Sequence, residues 1–356
     1  MTDRSDVESL RSQCQRELLK NILPFWMTHG LDAEQGGVIS SLDRNGSVID
    51  TDKSIWVQGR FAWLLGELYN HIEPRDEWLQ AAQNILQFVE WHGFDPADGR
   101  MWFQVTRDGW PLRKRRYAYS ESFAAIAFGE LAQATGEERY AKIAEKCFRE
   151  FVQQSRQPVD PSPKFTNERP ARSIGIPMIT LVTAQELAQS IHLPDADEII
   201  GNSIAEIRDD FCKPELNCVM ETIAADGTCI DHFDGRTLNP GHAIEAAWFI
   251  MRAGERRKNQ EWIDLGCQML EWMWQRGWDG RYGGLMYFAS LDDRPIQEYW
   301  QDMKFWLPHC EAIIACLLAF QLTGKRRYAE MFALVFDWTM KHFPDHEFGE
   351  WYGYLN

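Results

Sequence analysis

The feature that most limits how this chain can fold is an alternation of two kinds of helical segment. One kind has apolar residues at i, i+3, i+4 and i+7 and charged residues elsewhere, which predicts helices with one buried face. The other kind is apolar or small on most faces, which predicts helices covered on all sides. The amphipathic segments are 7–27, 76–92, 137–154, 196–210, 260–276 and 326–342. The apolar segments are 55–70, 119–134, 174–190, 242–254 and 309–322.

The connections between these segments are also of two kinds. Short polar turns such as ATGEERY and LTGKRRY lead from an apolar helix to the next amphipathic one. Long connections lead back, and their D-G and N-G dipeptides are signals for β-hairpins. This alternation predicts an all-α fold, an (α/α)6 toroid of inner and outer helices with short β-hairpin loops on one face.

The predicted outer helices outnumber the predicted inner helices by one. The pattern contains six outer helices and five inner ones, and a last hairpin pattern begins in PDHEFGEWYGYLN. We therefore expect residues 1–356 to form a single barrel domain that lacks its last inner helix, as a chain truncated at its carboxyl terminus would.

Charge and composition restrict the partners. The 37 basic and 53 acidic residues give a formal net charge of −16, which would repel nucleic acid and an anionic membrane. No run of 18 apolar residues occurs, and MTDRSDVESL at the start has no apolar signal-peptide core. The eight cysteines form no CxxC pair, which favours free thiols. We expect a cytoplasmic protein with no nucleic-acid or membrane partner.

Tryptophan is unusually frequent, with 16 residues in a chain that is 13% aromatic. Aromatic faces stack on the apolar C–H faces of sugar rings while their polar edges reach hydroxyl groups. The composition suits a carbohydrate cavity, and packing in the core is the alternative explanation for most of these side chains.

Polar and aromatic side chains occur near the starts of the inner helices. The long connections gather at this end of the predicted ring, so such side chains should point into one cavity. The candidates are Arg60, Tyr117, Tyr119, Arg172, His242, Glu245, Trp306, His309 and Glu311.

His242 follows the turn sequence N-P-G, and Glu245 lies three residues later on the same helical face. A carboxylate that fixes the tautomer of a histidine and supports its imidazolium makes it a good general base. A histidine that only caps the helix is the structural alternative. Binding of metal by HxxE would need a second such pair, and His309 is only two residues from Glu311, so no metal site is predicted.

Arg60 lies in the first inner helix between Trp56 and Trp63. A guanidinium group within an aromatic helix is costly unless it faces a polar cavity or a partner acid. Both possibilities remain open from the sequence, and Glu311 is a candidate partner for a buried ion pair.

Five segments resemble the N-acylglucosamine 2-epimerase (renin-binding protein) family. They are KSIWVQGRFAW at 53–63, RSIGIPM at 172–178, LNPGHAIEAAWF at 238–249, FWLPHCEAI at 305–313 and GEWYGYLN at 349–356. The resemblance implies an (α/α)6 barrel that interconverts N-acetylglucosamine and N-acetylmannosamine through an enediolate. It also implies that no cofactor is required, that ATP can act as an allosteric activator, and that the protein is a homodimer.

The resemblance also implies roles for individual residues. His242 matches one of two catalytic histidines, Arg60 matches an essential arginine that would hold the O1/O2 edge of the enediolate, and Glu311 matches an essential glutamate. The family's second catalytic histidine belongs to the sixth inner helix, and neither His342 nor His346 is assigned that role. The residues expected to contact the sugar are Trp56, Tyr119, Arg172, Glu245 and Trp306.

Three other functions remain open. A 2-epimerase or aldose–ketose isomerase of an unacylated sugar such as mannose or glucose is one, although the third inner helix, with IGIPMITL, lacks the histidine of such enzymes. A sugar-binding remnant with little activity is the second, because the second catalytic histidine is absent. Glycoside hydrolysis is the third, and it requires two facing acids of separated pKa.

Overall fold

The computed structural model describes residues 4–115, 117–156, 165–166 and 168–356, and the side chains from residue 8 onward within them. The chain is divided into two compact units. Unit 1 comprises Met1–Leu18, Phe165–Leu181 and Ile200–Asn356, and unit 2 comprises Leu19–Lys164 and Val182–Ile199.

Helices account for most of both units. The α-helices are α1 (Arg4–Arg16), α2 (Leu23–His29), α3 (Ile55–His71), α4 (Asp76–His92), α5 (Tyr119–Thr135), α6 (Glu138–Arg156), α7 (Gly175–Ser190), α8 (Ala196–Glu206), α9 (Phe233–Arg236), α10 (Pro240–Arg257), α11 (Gln260–Gly277), α12 (Trp306–Thr323) and α13 (Arg326–His342). Two π-helical stretches, Glu17–Ile22 and Ile207–Phe211, and a 3₁₀ turn, Pro214–Leu216, complete the set.

The predicted helices are present among the described residues, and two predictions of continuous α-helix were wrong. The amphipathic segments 76–92 and 326–342 coincide with α4 and α13. The segment 7–27, by contrast, is interrupted by the π-helical stretch Glu17–Ile22, and the segment 196–210 ends in the stretch Ile207–Phe211. A π turn inserts one residue per turn, which an apolar pattern averaged over a long segment does not reveal.

Small residues let the inner helices pack closely. In unit 2, α3 packs against α4 and α5, and α5 packs against α6. A Cβ added to Gly59 of α3 would lie 2.9 Å from the carbonyl carbon of Phe123 in α5, so only glycine permits this approach. In unit 1 the same arrangement recurs, with α10 against α11 and α12, and α12 against α13.

The short turns after two inner helices use one capping conformation. Gly136 follows α5 with φ of 72°, and Gly324 follows α12 with φ of 65°. This left-handed conformation ends the helix while its amide still bonds to a carbonyl of the last turn, and it costs glycine no strain. The T-G pairs in the two short connections are therefore helix stop signals.

The strands are short and lie in the long connections. They are β1 (Ser41–Leu42), β2 (Val48–Asp50), β3 (Lys53–Ser54), β4 (Gln104–Val105), β5 (Pro111–Arg113), β6 (Ala171–Ser173), β7 (Cys212–Lys213), β8 (Cys218–Val219), β9 (Thr222–Ala224), β10 (Thr237–Leu238), β11 (Ala289–Ser290), β12 (Lys304–Phe305) and β13 (Tyr354–Leu355).

The strand pairings are antiparallel and of two kinds. Hairpins form within a connection in β1–β2 and β4–β5, as predicted from N-G and D-G, and also in β7–β8, whose turn contains neither dipeptide. The strand just before an inner helix pairs instead with the next long connection, in β3–β4, β6–β9, β10–β11 and β12–β13. Successive connections are thereby linked side by side at the starts of the inner helices.

A buried ion pair fixes two of these connections to the following inner helix. Lys53, just before α3, donates from Nζ to Asp32 at 2.9 Å, and both side chains are fully buried. Lys304, just before α12, makes the equivalent bond to Asp279 at 2.8 Å. Each aspartate also accepts from backbone amides of its own loop, so the loop and the helix start are held together.

One inner helix, α12, is long and apolar enough to cross a membrane by length and composition alone. His309 and Glu311 interrupt its apolar residues, which is why the sequence contains no continuous apolar run there. Its buried residues pack against α10 and α13 within unit 1, and the buried inner helix of a globular core satisfies the same criterion.

Candidate active site

The candidate site in unit 1 is built on the first turn of α10. The Oδ1 atom of Asn239 accepts a hydrogen bond of 3.1 Å from the amide of His242, and Pro240 occupies the first helical turn. This is the capping arrangement that N-P-G favours, because proline has no amide to satisfy and its φ already suits a helix. The cap fixes the backbone position from which the imidazole of His242 projects.

The imidazole of His242 is held by a carboxylate that the sequence analysis did not identify. Its Nδ1 atom lies 3.2 Å and 3.1 Å from the two carboxylate oxygens of Glu221. Glu221 directly precedes β9, and its carbonyl accepts from the amide of Ile174 at 3.1 Å, beside the β6–β9 pairing. Glu221, rather than the predicted Glu245, is therefore the hydrogen-bond partner that fixes Nδ1.

Two further carboxylates act on the same imidazole. Burial lowers the pKa of His242, but the charge and hydrogen bond of Glu221 and the charges of Glu245 and Glu311 outweigh it and raise the pKa to about 9. A pKa of this size favours the imidazolium form of His242 at pH 7. With Nδ1 engaged by Glu221, Nε2 is the atom that remains to exchange a proton with a substrate.

Glu311 is oriented by a tryptophan. The Nε1 atom of Trp248, on α10, donates a hydrogen bond of 2.6 Å to Oε2 of Glu311, on α12. Both residues lie at the packed α10–α12 contact, so the carboxylate is fixed relative to the helix that carries His242. Trp248 was not among the predicted site residues, although it lies in the same segment one turn after Glu245.

An aromatic cluster adjoins this part of unit 1. Phe305 stacks on Tyr354 at 4.6 Å between ring centroids, and Tyr287 lies 5.1 Å from Phe305. Trp306, the first residue of α12, meets Phe305 edge-on at 5.3 Å. Burial, the neighbouring Tyr354 and the charges of Glu298 and Glu221 raise the pKa of Tyr287 to about 12, so its hydroxyl keeps its proton at neutral pH.

Unit 2 brings four predicted residues, Trp56, Arg60, Tyr117 and Tyr119, together near the starts of α3 and α5. Trp56 stacks on Phe123 at 5.0 Å and meets Tyr119 edge-on at 5.4 Å. Tyr117 stacks on Tyr119 at 5.5 Å. The guanidinium of Arg60 lies 4.9 Å from the centroid of Phe123 and is exposed, with no ion-pair partner among the described residues of unit 2. Arg60 is therefore not the buried cation that one of the sequence alternatives required.

Known proteins identify the family of this chain. Residues 37–356 match the family described as N-acylglucosamine 2-epimerase (GlcNAc 2-epimerase). The chain is 33% identical to the N-acylglucosamine 2-epimerase of Bos taurus over 374 residues, which cover 99% of this chain and 85% of that protein. The chain belongs to the N-acylglucosamine 2-epimerase family. The resemblance drawn from its sequence segments is confirmed.

More distant relatives agree with this. The family member is 22% identical to the cellobiose 2-epimerase of Eubacterium cellulosolvens over 96% of this chain and 89% of that protein. The solved structure of the cellobiose 2-epimerase from Bacillus thermoamylovorans superposes with a TM-score of 0.85 at 19% identity, covering 98% of this chain and 92% of that one. The fold is an (α/α)6 barrel, as predicted, and the protein is a sugar 2-epimerase, an isomerase.

Two of the predicted cavity residues of this epimerase have other partners. His309 is fully buried, with Nδ1 2.7 Å from the carbonyl oxygen of Phe305 and Nε2 accepting from the amide of Leu285 at 2.9 Å. The expectation that His309 points into the cavity was wrong, because these bonds use both ring nitrogens. Arg172 bonds to Glu206 at 3.2 Å and to Asp210 at 2.7 Å, and its contact with sugar stays a prediction.

The spacing of Glu221 and His242 in the sequence does not indicate that they are partners. The two residues are 21 positions apart, and Glu221 is one acidic residue in the connection NCVMETIAADGTCI. The hairpin β7–β8 and the β6–β9 pairing bring it to the start of α10. An acid inside an otherwise apolar strand segment was the one clue available, since a buried carboxylate needs a partner.

Proposed function

We propose that this epimerase interconverts N-acylglucosamine and N-acylmannosamine by moving the proton at C2, with His242 as an acid–base group. The observation that carries the proposal is the imidazolium of His242, fixed at Nδ1 by Glu221 and surrounded by Glu245 and Glu311. The identity of 33% to the bovine enzyme, against 22% to the cellobiose enzyme, favours the N-acylated sugar.

The reaction requires an open-chain sugar with its aldehyde at C1. A base on the face of the sugar opposite His242 accepts the C2 proton, the electron pair of the C2–H bond forms the C1–C2 double bond, and the C1 oxygen takes the negative charge. Nε2 of the His242 imidazolium then delivers a proton to C2 on its own face. In the reverse direction the neutral imidazole takes that proton back, and Glu221 stabilises the cation that results.

The enolate needs cationic stabilisation, because negative charge builds up on O1, while C2 of an N-acylated sugar carries nitrogen. The family resemblance assigns this role to Arg60, whose exposed guanidinium has no carboxylate partner among the residues of unit 2 that the structure describes. The same resemblance makes Glu311 essential, and its bond from Trp248 fits a carboxylate that must hold one orientation.

The test is exchange of the C2 proton in deuterated water, followed by NMR. We expect N-acetylmannosamine to lose its C2–H signal and to yield N-acetylglucosamine. General acid–base catalysis contributes about 10²–10⁴-fold, so His242→Ala should slow exchange by at least about 10²-fold. Arg60→Ala should slow it comparably. His346→Ala is the matched control, because this histidine is exposed and outside the site, and it should retain full exchange.

Mannose and cellobiose serve as competing substrates in the same experiment. Exchange with mannose alone would show that the substrate is an unacylated sugar, with the same proton transfer at C2. Saturable binding of N-acetylmannosamine without exchange of any sugar would identify the sugar-binding remnant instead. An active His242→Ala variant would remove the assignment of His242 itself.

The family resemblance suggests two further properties that the same assay can address. We propose that ATP increases the exchange rate without being consumed, and that the active form is a homodimer. Exchange rates measured with and without ATP, and the mass of the active species in solution, test the two properties separately.

A further inference from the structure

A second group of chemically active side chains lies in unit 2, where α3 packs against α5. Glu67 and His71 are four residues apart on one face of α3, and Glu130 projects from α5. The Nε2 atom of His71 lies 3.8 Å from a carboxylate oxygen of each glutamate. One donor atom from each residue lies within 4.8 Å of the other two, and no other such group occurs among the described residues.

The packing of the two helices holds Glu130 in place. A Cβ on Gly66 would lie 2.7 Å from the Cβ of Glu130, so the glycine lets α5 bring this side chain against α3. Asn70 donates from Nδ2 to Oε2 of Glu130 at 2.8 Å and to its backbone carbonyl at 3.0 Å. An amide that orients a ligating carboxylate is the usual support around a protein metal ion.

The two carboxylates, Glu67 and Glu130, face less positive charge than would neutralise them. The side chain of Glu130 is 3% exposed, and a carboxylate oxygen of Glu67 lies within 4.8 Å of one of its own oxygens. Among the described residues, His71 is the one ion-pair partner of either glutamate within 4.0 Å, and no lysine or arginine reaches them. A divalent cation would neutralise both carboxylates at once.

We propose that Glu67, His71 and Glu130 bind a divalent transition-metal ion, with Zn²⁺ as the best fit. An imidazole nitrogen with two carboxylate oxygens suits zinc better than magnesium or calcium, which prefer oxygen ligands alone. Tetrahedral zinc with bonds of about 2.0–2.1 Å places its ligands about 3.3 Å apart. The half-exposed His71 and partly exposed Glu67 can rotate to close the observed 3.8 Å, and water completes the coordination.

The ion would join two inner helices away from the proposed catalytic residues. Glu67 lies seven residues after Arg60 on the same helix, about 10 Å along its axis at 1.5 Å per residue. We therefore expect bound metal to stabilise unit 2 without taking part in the epimerase reaction. Loss or retention of sugar exchange leaves this inference unaffected.

The test is titration of the chelator-treated protein with Zn²⁺ by calorimetry, combined with thermal melting. We expect one zinc ion per chain and a higher melting temperature with zinc. His71→Ala and Glu130→Gln should each abolish both effects, and Asn70→Ala should weaken binding by about 10–100-fold. Glu130→Gln is the variant expected to fold well, because glutamine resembles the protonated acid. Glu73→Gln, an exposed carboxylate outside the group, is the control.

Stoichiometric zinc binding that persists unchanged in both His71→Ala and Glu130→Gln would place the ion elsewhere and overturn the inference. Absence of stoichiometric binding to the unaltered chain would also overturn it and leave a simple histidine–glutamate ion pair.

Discussion

At the scale of single residues, the charge on His242 depends on one carboxylate more than on any other. Glu221 contributes both a hydrogen bond to Nδ1 and the largest of the charge effects, and these oppose the burial that would otherwise lower the pKa. An opposite charge at this distance shifts a pKa by about 1–3 units. The protonation state available for catalysis is therefore set by a residue that need not touch the sugar.

We expect Glu221→Gln to lower the pKa of His242 by about 1–3 units, because the amide keeps the shape of the side chain but not its charge. NMR titration of the imidazole measures this shift directly. The basic limb of kcat/KM should move to lower pH by the same amount. Glu255→Gln, at the far end of α10, is the control and should leave both curves in place. An unchanged titration in Glu221→Gln would show that Glu245 and Glu311 suffice.

Residue-scale prediction from sequence succeeded where the chemistry is local and failed where it depends on distant contacts. Asn239, Pro240 and His242 are neighbours, so N-P-G correctly indicated the start of an inner helix carrying a histidine. The bond from Glu221 and the burial of His309 both depend on strands and loops folded from elsewhere. Helical periodicity contains no information on such contacts.

At the scale of elements, the buried lysines explain why the long connections hold their shape. Lys304 is 6% exposed and Asp279 is 9% exposed, and the hydrogen bond from Lys304, helped by two backbone amides and the charge of Lys304, lowers the pKa of Asp279 to about 2. Lys114 makes the comparable bond to Asp95 at 2.6 Å, but with 25% of its side chain exposed. The two pairs have the same chemistry and differ in their access to solvent.

Lys304→Met should therefore lower the free energy of unfolding by about 3–5 kcal/mol, because it leaves the buried Asp279 without its cation. Lys114→Met is the matched comparison, and it should cost no more than about 1 kcal/mol, since water can solvate Asp95. Urea denaturation of the two variants beside the unaltered protein measures both values. Equal losses would mean that burial does not control the strength of these pairs.

The elements themselves were largely predictable, and their lateral pairing was not. Helical apolar patterns located α4 and α13 to the residue, and N-G and D-G turns located the hairpins β1–β2 and β4–β5. Pairings such as β12–β13 join strands about fifty positions apart and only two residues long. A strand of two residues is too short to show an alternating pattern. The flanking helices, rather than the strands themselves, bring the paired strands together.

At the scale of the whole molecule, two histidines give stability opposite dependences on pH. Burial lowers the pKa of His309 to about 4, below its unfolded value of 6.5, so the unfolded chain binds this proton first and stability falls as the pH drops from 6.5 toward 4. The pKa of His242 is raised to about 9, so its contribution is complete below 6.5 and is lost as the pH rises through 9. Together they favour a maximum near neutral pH.

Between pH 7 and pH 5, His309 alone should lower the free energy of unfolding by about 2 kcal/mol. We expect His309→Gln to have a correspondingly flatter acid limb, whatever its stability at pH 7, because glutamine can occupy the site without titrating. Urea denaturation at pH 5, 6 and 7 measures the slope in each protein. His346→Ala removes an exposed histidine and should keep the original slope. If His309→Gln and His346→Ala lose stability equally on acidification, the acid limb arises from the carboxylates rather than from the buried imidazole.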